Sequence, residues 1–231
     1  MNAKRLRGRA PALHLVVLER LFEDPGLLAL DLPPQERVRA AGIAHGETRT
    51  LFIHGRAVLR RALEGVFGIR AARIVINRNG RPELANSSIS FNLSHTRGAI
   101  AVALGDGFEV GVDIERRDRR VDVPALARRS FSESEVAWVT EADSDRRFLE
   151  TWTLKEAFMK GRGLGFRLPP RSFAFDLRGS EPRIVRSRDR IDDPWIFHRT
   201  TVGDFQVAAA AGGAAVARGL TVHRYNGDDL F

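Results

Sequence analysis

The spacing of apolar residues along this chain changes repeatedly between a helical and an extended pattern. Between Glu47 and Phe67 apolar residues recur every three or four positions, which predicts one long amphipathic helix. Between Ile89 and Ser94 apolar and polar residues alternate, which predicts a half-buried strand. Further strands are predicted at residues 13–18, 73–77, 99–104, 109–115, 173–177, 183–185, 195–201, 205–211 and 220–225, and further helices after Pro33 and at 123–129 and 132–141.

Helices and antiparallel strands follow one another in a similar order in the two halves of the chain. A charged connector at residues 116–121 lies between them and is the best candidate for a boundary. No residue-level repeat accompanies this order, so a duplication is suggested by the elements alone. We therefore expect an α+β protein with an N-terminal half at residues 1–115 and a C-terminal half at residues 116–231.

Residues 150–166 are predicted to form a helix that ends in a glycine-rich exit. Trp152, Glu156 and Lys160 are four positions apart and therefore share one helix face. Such a Glu–Lys pair is often only a surface ion pair of little energetic value. However, the chain has 37 lysines and arginines, of which only three are lysines, and two of these three fall within six residues. Because a lysine and an arginine are not interchangeable where a compact amine is needed, Lys155 and Lys160 are interpreted as positions that require an amine.

Two carboxylates lie side by side on the strand predicted at residues 109–115. Asp113 and Glu115 are two positions apart and project from the same face. Adjacent carboxylates repel unless a cation lies between them, and oxygen ligands without a histidine or cysteine cluster favour Mg²⁺. Glu156 is the natural third ligand if its helix packs over this strand. The alternative is an exposed acidic strand edge beside the two arginines that follow.

Ser94 and His95 end the predicted strand at residues 89–94. A hydroxyl and an imidazole at a strand end are groups that bind phosphate. They could equally cap the turn that follows, so this pair is informative only in combination with other motifs.

The composition is that of a basic globular protein. The chain has 231 residues, 43% hydrophobic residues, no cysteine, a net charge of +8 and a pI of about 11.0. The charge indicates an anionic partner, which could be a nucleic acid, a phosphate ligand, an acidic protein or a membrane surface, or else a merely solvated basic surface. The absence of cysteine excludes disulfides and thiolate metal sites and fits a cytoplasmic protein. No apolar run approaches the roughly 18 residues of a membrane span, so no membrane partner is expected.

Five short motifs follow one another along the chain. They are Asn79-Gly-Arg-Pro, Phe91-Asn-Leu-Ser-His, Gly111-Val-Asp-Ile-Glu, Arg129-Ser-Phe-Ser-Glu-Ser-Glu and Trp152-Thr-Leu-Lys-Glu-Ala-Phe-Met-Lys. Their order closely resembles that of the 4′-phosphopantetheinyl transferases of the surfactin (Sfp) type. The motif-bearing span runs from about residue 36 to residue 166.

The resemblance implies a fold and a reaction. The fold would be a monomer of two similar α+β halves, each an antiparallel sheet packed by helices, related by a pseudo-two-fold axis. Coenzyme A and Mg²⁺ would bind in the cleft between the halves. The phosphopantetheine arm of coenzyme A would move to a serine of an apo acyl or peptidyl carrier protein, with release of adenosine 3′,5′-bisphosphate.

The resemblance also implies site residues. Glu156 and Lys160 would be catalytic, with Lys160 on the phosphate and Glu156 taking the proton of the carrier serine directly or through water. The metal ligands would be Asp113, Glu115 and Glu156, and either Mg²⁺ or Mn²⁺ would suit them. Contacts to coenzyme A would come from Arg39, Arg49, Arg81, Ser94, His95, Lys155 and Lys160, with Arg37 and Arg56 as further candidates for the 3′-phosphate.

Two rival functions remain open at this point. A nucleic-acid-binding protein would explain the pI of about 11.0, although the chain shows no recognisable binding motif or aromatic stacking platform, and no nucleic acid partner is expected. A non-catalytic carrier-binding relative is disfavoured because no acid or lysine of the motifs is missing. The class of carrier protein is not evident from the sequence.

Overall fold

The computed structural model describes residues 12–19, 25–78, 80–188, 191, 193–213, 216 and 221–226. The helices in this part of the chain are α1 (Pro25–Leu30), α2 (Pro34–Ala41), α3 (Gly46–Phe67), α4 (Val123–Ser130), α5 (Glu133–Glu141) and α6 (Ser144–Gly161). The strands are β1 (Ala12–Glu19), β2 (Ile74–Ile76), β3 (Pro82–Leu84), β4 (Ile89–Thr96), β5 (Ala99–Asp106), β6 (Glu109–Arg116), β7 (Phe173–Asp176), β8 (Arg183–Ser187), β9 (Trp195–Val202), β10 (Phe205–Gly212) and β11 (Thr221–Asn226).

Two sheets form the centre of the molecule. The first has the strand order β11-β1-β5-β4, and the second has the order β6-β10-β9. All pairings in these sheets are antiparallel except that of β1 with β11, which is parallel. Short two-stranded sheets, β2-β3 and β7-β8, lie beside them. The two large sheets therefore carry most of the long-range backbone pairing.

The core has a layered arrangement with one long helix on each outer side. Leu15 and Ala101 of the first sheet pack against Val112 and Ala209 of the second in one apolar cluster. Residues of α3 pack on the other face of the first sheet, and residues of α6 pack on the other face of the second. The central strands β5 and β10 are buried on both faces, which explains why they read as runs of small apolar residues rather than as alternating patterns.

Most elements predicted from the apolar pattern are confirmed, and the mixed α and β composition with them. Helix α5 begins with a capping box, in which Ser132 and Glu135 exchange hydrogen bonds. The short elements α1 and β3 were not predicted, since each has too few residues to show a period. Residues 1–11, Asn79 of the Asn79-Gly-Arg-Pro motif and Leu220 of the last predicted strand lie outside the described residues.

The boundary expected at residues 115 and 116 stays a prediction, and the division between the two sheets does not follow it. Strand β6, which was assigned to the N-terminal half, pairs with β10 in the second sheet. Strand β11, which was assigned to the C-terminal half, pairs with β1 in the first. The physical reason is that each strand finds its hydrogen-bond partners in the other half, which local sequence patterns do not encode.

The order of elements occurs twice along the chain. A long helix, a short two-stranded sheet and three long strands follow one another from α3 to β6 and again from α6 to β11. This succession supports the idea of two similar halves, while the pseudo-two-fold relation between them stays a proposal. Among the described helices, none is both long and apolar enough to cross a lipid bilayer.

Candidate active site

Helix α6 lies directly on strand β6, and one glycine makes this approach possible. A Cβ atom on Gly111 would lie 1.9 Å from the carbonyl oxygen of Ala157, which is a steric clash with backbone. Only glycine therefore fits at this position. The close contact brings the last turns of α6, with Glu156 and Lys160, over the carboxylates that follow Gly111 on β6.

Strand β4 also lies beside β6, although the two strands belong to different sheets. Side-chain hydrogen bonds, rather than regular backbone pairing, connect them. The amide oxygen of Asn92 accepts a hydrogen bond from the backbone N–H of Val112 at 3.0 Å. Two residues further along β4, the Ser94 hydroxyl donates to Oδ1 of Asp113 at 2.8 Å. Residues Asn92 and Ser94 share one face of β4, so the alternation of this strand aims both at β6.

Lys160 joins the helix to both strands. Its ammonium group lies 2.6 Å from Oδ1 of Asp113 and donates to the Ser94 hydroxyl at 2.8 Å. Asp113 is only 5% exposed, and its second oxygen, Oδ2, is buried without a hydrogen-bond partner among the described residues. The structure thus brings together the predicted residues Ser94, Asp113 and Lys160 in one cluster.

Glu156 and Glu115 add further negative charge to this cluster. Burial, and then the nearby Asp113 carboxylate, raise the pKa of Glu156 to about 7, against the opposing effect of Lys160. Burial and Asp113 likewise raise the pKa of Glu115, although Arg119 forms an ion pair with it at 2.6 Å. In both cases burial is the larger cause, and repulsion between like charges adds to it.

The geometry of this cluster bears on the predicted metal site. In the described part of the chain, no three or more side chains of metal-binding type form a group that could hold an ion. The expected set of Asp113, Glu115 and Glu156 is therefore not assembled around a common point in this arrangement. The buried and unpartnered Oδ2 of Asp113, and the mutual repulsion of the carboxylates, do fit a divalent cation, for which carboxylate oxygens are suitable ligands.

His95 lines a cavity next to this cluster. Partial burial and the charge of Lys160 lower the pKa of His95, so its imidazole is neutral at neutral pH. The cavity has a volume of about 300 Å³ and lies between α3 and strands β3 and β4, with His95, Asn92, Phe52 and Pro82 among its lining residues. Its walls are largely apolar.

Basic residues lie beside this cavity on α2 and α3, and one of them lines it. The guanidinium groups of Arg39 and Arg56 lie 5.6 and 5.3 Å from the ring centroid of Phe52. Arg49 donates two hydrogen bonds to the carbonyl oxygen of Ile43, at 2.9 and 2.7 Å, and Ile43 lines the cavity. Arg56 itself lines the cavity, whereas Arg37 does not.

Arg81 links α6 to the beginning of β6. Its guanidinium group donates to the carbonyl oxygens of Gly161 and Val110, at 3.1 and 3.2 Å, and forms an ion pair with Glu109 at 3.0 Å. These partners give Arg81 a structural role at the glycine-rich end of α6. A contact with coenzyme A stays a prediction for this residue.

The side chain of Lys155 is buried and paired within the protein, which contradicts the prediction that it contacts coenzyme A. Its side chain is 1% exposed and forms an ion pair with Glu135 at 2.9 Å. The ammonium group also donates to the carbonyl oxygens of Pro170 and Phe173, at 2.9 and 2.7 Å, and lies 4.2 Å from the centroid of the Phe173 ring. An ammonium group has three hydrogens to donate, and protein groups account for all of them.

Glu135 is the partner of Lys155, and the sequence did not identify this pairing. Its two carboxylate oxygens accept from Lys155, from the backbone N–H of Phe175 and from Ser132. Its place in the capping box was visible in the sequence, but nothing local connected it with a lysine twenty residues away. The scarcity of lysine did identify position 155 as special, for a structural reason.

Comparison with known proteins assigns the chain to a family. The model of the 4′-phosphopantetheinyl transferase superfamily matches residues 109–210, which include Asp113, Glu115, Glu156 and Lys160. The 4′-phosphopantetheinyl transferase AcpT of Escherichia coli O157:H7 is 36% identical over 141 residues, which cover 59% of this chain and 68% of that protein. The 4′-phosphopantetheinyl transferase HetI of Nostoc sp. is 31% identical over 147 residues, which cover 60% of this chain.

The alignments leave part of the relatives unmatched. The chain spans 62% of the length of HetI and 62% of the length of the transferase gsp of Aneurinibacillus migulanus. Among solved structures, the holo-[acyl-carrier-protein] synthase of Thermotoga maritima is 22% identical, with a TM-score of 0.41, over 45% of this chain and 62% of that one.

Proposed function

Because the chain belongs to the 4′-phosphopantetheinyl transferase superfamily, we propose that it transfers the phosphopantetheine arm of coenzyme A to a serine of an apo acyl or peptidyl carrier protein. The other product would be adenosine 3′,5′-bisphosphate. One observation carries this proposal, namely the partly buried cluster of Lys160, Asp113 and Ser94 on three elements, with Glu156 beside it. It unites an ammonium group for phosphate with carboxylates that repel one another, which is the charge arrangement that phosphoryl transfer needs.

The cavity beside His95 offers a place for the nucleotide part of coenzyme A. Its apolar walls suit a flat base, and Arg39, Arg49 and Arg56 lie close enough to receive the 3′-phosphate at its rim. Ser94, His95 and Lys160 would then face the pyrophosphate. A neutral imidazole is a hydrogen-bond donor to phosphate without adding charge.

Asp113, Glu115 and Glu156 are the residues that would hold Mg²⁺, with Mn²⁺ as an alternative. When bound, the ion supplies positive charge against the phosphate oxygens and the leaving bisphosphate. The side chains of the protein then have separate tasks. Lys160 would neutralise the phosphate that is attacked, and Glu156 would accept the proton of the carrier serine directly or through water.

The test is a transfer reaction with a panel of apo carrier proteins. The protein is incubated with coenzyme A and Mg²⁺, and each carrier is examined by intact mass. We expect a mass gain of one phosphopantetheine arm on at least one carrier, and none with an Asp113→Ala variant. A panel of fatty-acid, polyketide, nonribosomal-peptide and lysine-biosynthesis carriers would also identify the class served. An unmodified panel, with the protein folded and coenzyme A bound, would contradict the proposal.

The oligomeric state and the cellular location belong to the same proposal. A monomeric state and a cytoplasmic location stay predictions from the sequence and the family. The alternative of a nucleic-acid-binding protein receives no support from the relatives named above. Duplex DNA binding at physiological salt, measured with and without coenzyme A, distinguishes it from the transferase.

A further inference from the structure

Three arginines in the second part of the chain surround a cavity that the proposed reaction does not use. Arg171 lies in a single 3₁₀ turn before β7, and Arg186 and Arg188 lie two positions apart on β8 and its continuation. Residues two apart on an extended chain point to the same side. Together with Ser132, Glu133 and Ser172 they line a cavity of about 390 Å³.

The backbone holds these arginines near one another. Arg186 is directly opposite Ala174 in the pairing of β7 with β8. The backbone N–H of Arg188 donates to the carbonyl oxygen of Ser172 at 2.8 Å, beside Arg171. The fold therefore brings three like charges to one place, which costs free energy unless an anion offsets it.

Protein groups compensate little of this charge. None of the three guanidinium groups has an ion pair or a hydrogen bond with another residue in the described ranges. On neighbouring segments, by contrast, Arg178 pairs with Glu141 at 2.7 Å and Arg183 with Asp176 at 3.5 Å. Glu133 is the one carboxylate among the described lining residues. The cavity also adjoins the N-terminus of α5, whose backbone adds partial positive charge.

The cavity lies on a different side of α6 from the Asp113 cluster. Lys155 connects α6 with this region, because its ammonium group contacts the carbonyl oxygen of Pro170 and the carboxylate of Glu135. At 100° per residue, Lys155 and Lys160 leave the helix about 140° apart. A ligand in this cavity would therefore not compete with coenzyme A for Lys160.

We propose that the cavity formed by Arg171, Arg186 and Arg188 is a second anion site, which binds a compact phosphorylated polyanion. Planar guanidinium groups match the oxygens of phosphate with paired hydrogen bonds. The concave shape and the volume of about 390 Å³ suit a small molecule with two or more phosphoryl groups. The site is independent of the proposed transfer reaction, and its test needs no catalysis.

The experiment is calorimetric titration of the full chain with inorganic pyrophosphate, without divalent cation and with coenzyme A at saturation. We expect one pyrophosphate site that Arg171→Ser or Arg186→Ser each weaken about tenfold or more, the scale of a lost charge-assisted hydrogen bond. Two matched controls are Arg178→Ser, which removes a paired exposed arginine, and Lys160→Ser, which alters the Asp113 cluster. Both should keep the pyrophosphate site.

Three results of these titrations would contradict the proposed anion site. Absence of pyrophosphate binding by the unaltered protein, equal binding by the Arg171 and Arg186 variants, or loss of binding in Lys160→Ser alone would each overturn the proposal. The two arginines are exposed, so we expect both variants to fold, and an unchanged melting temperature checks this.

Discussion

The ammonium group of Lys160 lies 2.6 Å from Oδ1 of Asp113, although 47 positions of sequence separate the two residues. The contact joins the end of α6 to the middle of β6 and includes the Ser94 hydroxyl of β4.

Replacement of Lys160 by arginine keeps the charge but puts a planar, larger group where a compact amine touches two partners. We expect Lys160→Arg to lower kcat by about tenfold or more, as for a misplaced charge stabiliser.

Lys4→Arg is the control for that substitution, because it makes the same chemical change near the N-terminus. It should leave the initial rate of transfer to a carrier protein unchanged. Equal rates for the two variants would show that lysine is not required at position 160.

Asp113→Asn and Glu156→Gln should each reduce turnover by about 10² or more, the scale of losing a transition-state charge stabiliser. Both changes keep the size of the side chain and remove its charge, so loss of packing does not explain the effect. Glu47→Gln, in the exposed first turn of α3, is the matched control and should leave turnover unchanged.

Chelation of divalent cations should abolish turnover of the unaltered protein, and full activity in excess chelator would contradict the ligand assignment.

The stability of the metal-free protein should fall as the pH rises from about 5 to 7.5 because of Glu156. Its pKa is about 7 in the folded protein and near its ordinary value of 4.5 in the unfolded chain. In that window the folded state binds more protons than the unfolded state, so the free energy of unfolding decreases with pH. The contribution is on the order of 1 to 2 kcal/mol after allowance for partial exposure.

Urea unfolding with chelator at several pH values measures this dependence in the unaltered protein and in Glu156→Gln. The glutamine variant should show a shallower fall, since it has no proton to lose at this position. Parallel curves for the two proteins would show that Glu156 has an ordinary pKa.

Lys155→Met should destabilise the fold by about 3 kcal/mol, because it leaves the carboxylate of Glu135 buried without its cation. The double variant Lys155→Met, Glu135→Leu should recover part of that loss, since no uncompensated charge remains. Urea unfolding gives both values. Arg146→Met breaks the partly exposed pairs with Asp143 and Glu150 and should cost no more than about 1 kcal/mol. An equal cost for the Lys155 and Arg146 variants would argue against the buried network.

Raising the salt concentration from about 0.05 to about 0.5 M should increase KM for the carrier protein more than KM for coenzyme A. The protein has a net charge of +8, and a large charged surface acts mainly on association with an oppositely charged partner. Initial rates against each substrate at constant Mg²⁺ provide the comparison. A flat carrier KM with a rising coenzyme A KM would restrict the role of the basic surface to the nucleotide.

Much of the local structure followed from the sequence, because it depends on short-range periodicity. The four-residue spacing placed Glu156 and Lys160 on one face of α6, and the two-residue spacing placed Asp113 and Glu115 on one face of β6. Helix and strand positions, the capping box of α5 and the special status of the two lysines could be read in the same way. Each of these features depends on residues only a few positions apart.

Other features were decided only by the tertiary structure, because they depend on which distant segments meet. The sequence did not show that Lys155 turns inward to Glu135 while Lys160 reaches Asp113, although both are lysines of one helix. It did not show that β6 and β11 each join the sheet of the other half. It also gave no reason for Gly111, whose missing side chain lets α6 lie on β6. Burial and close packing arise from contacts between elements, and a local pattern carries no information on the partner that an element will find.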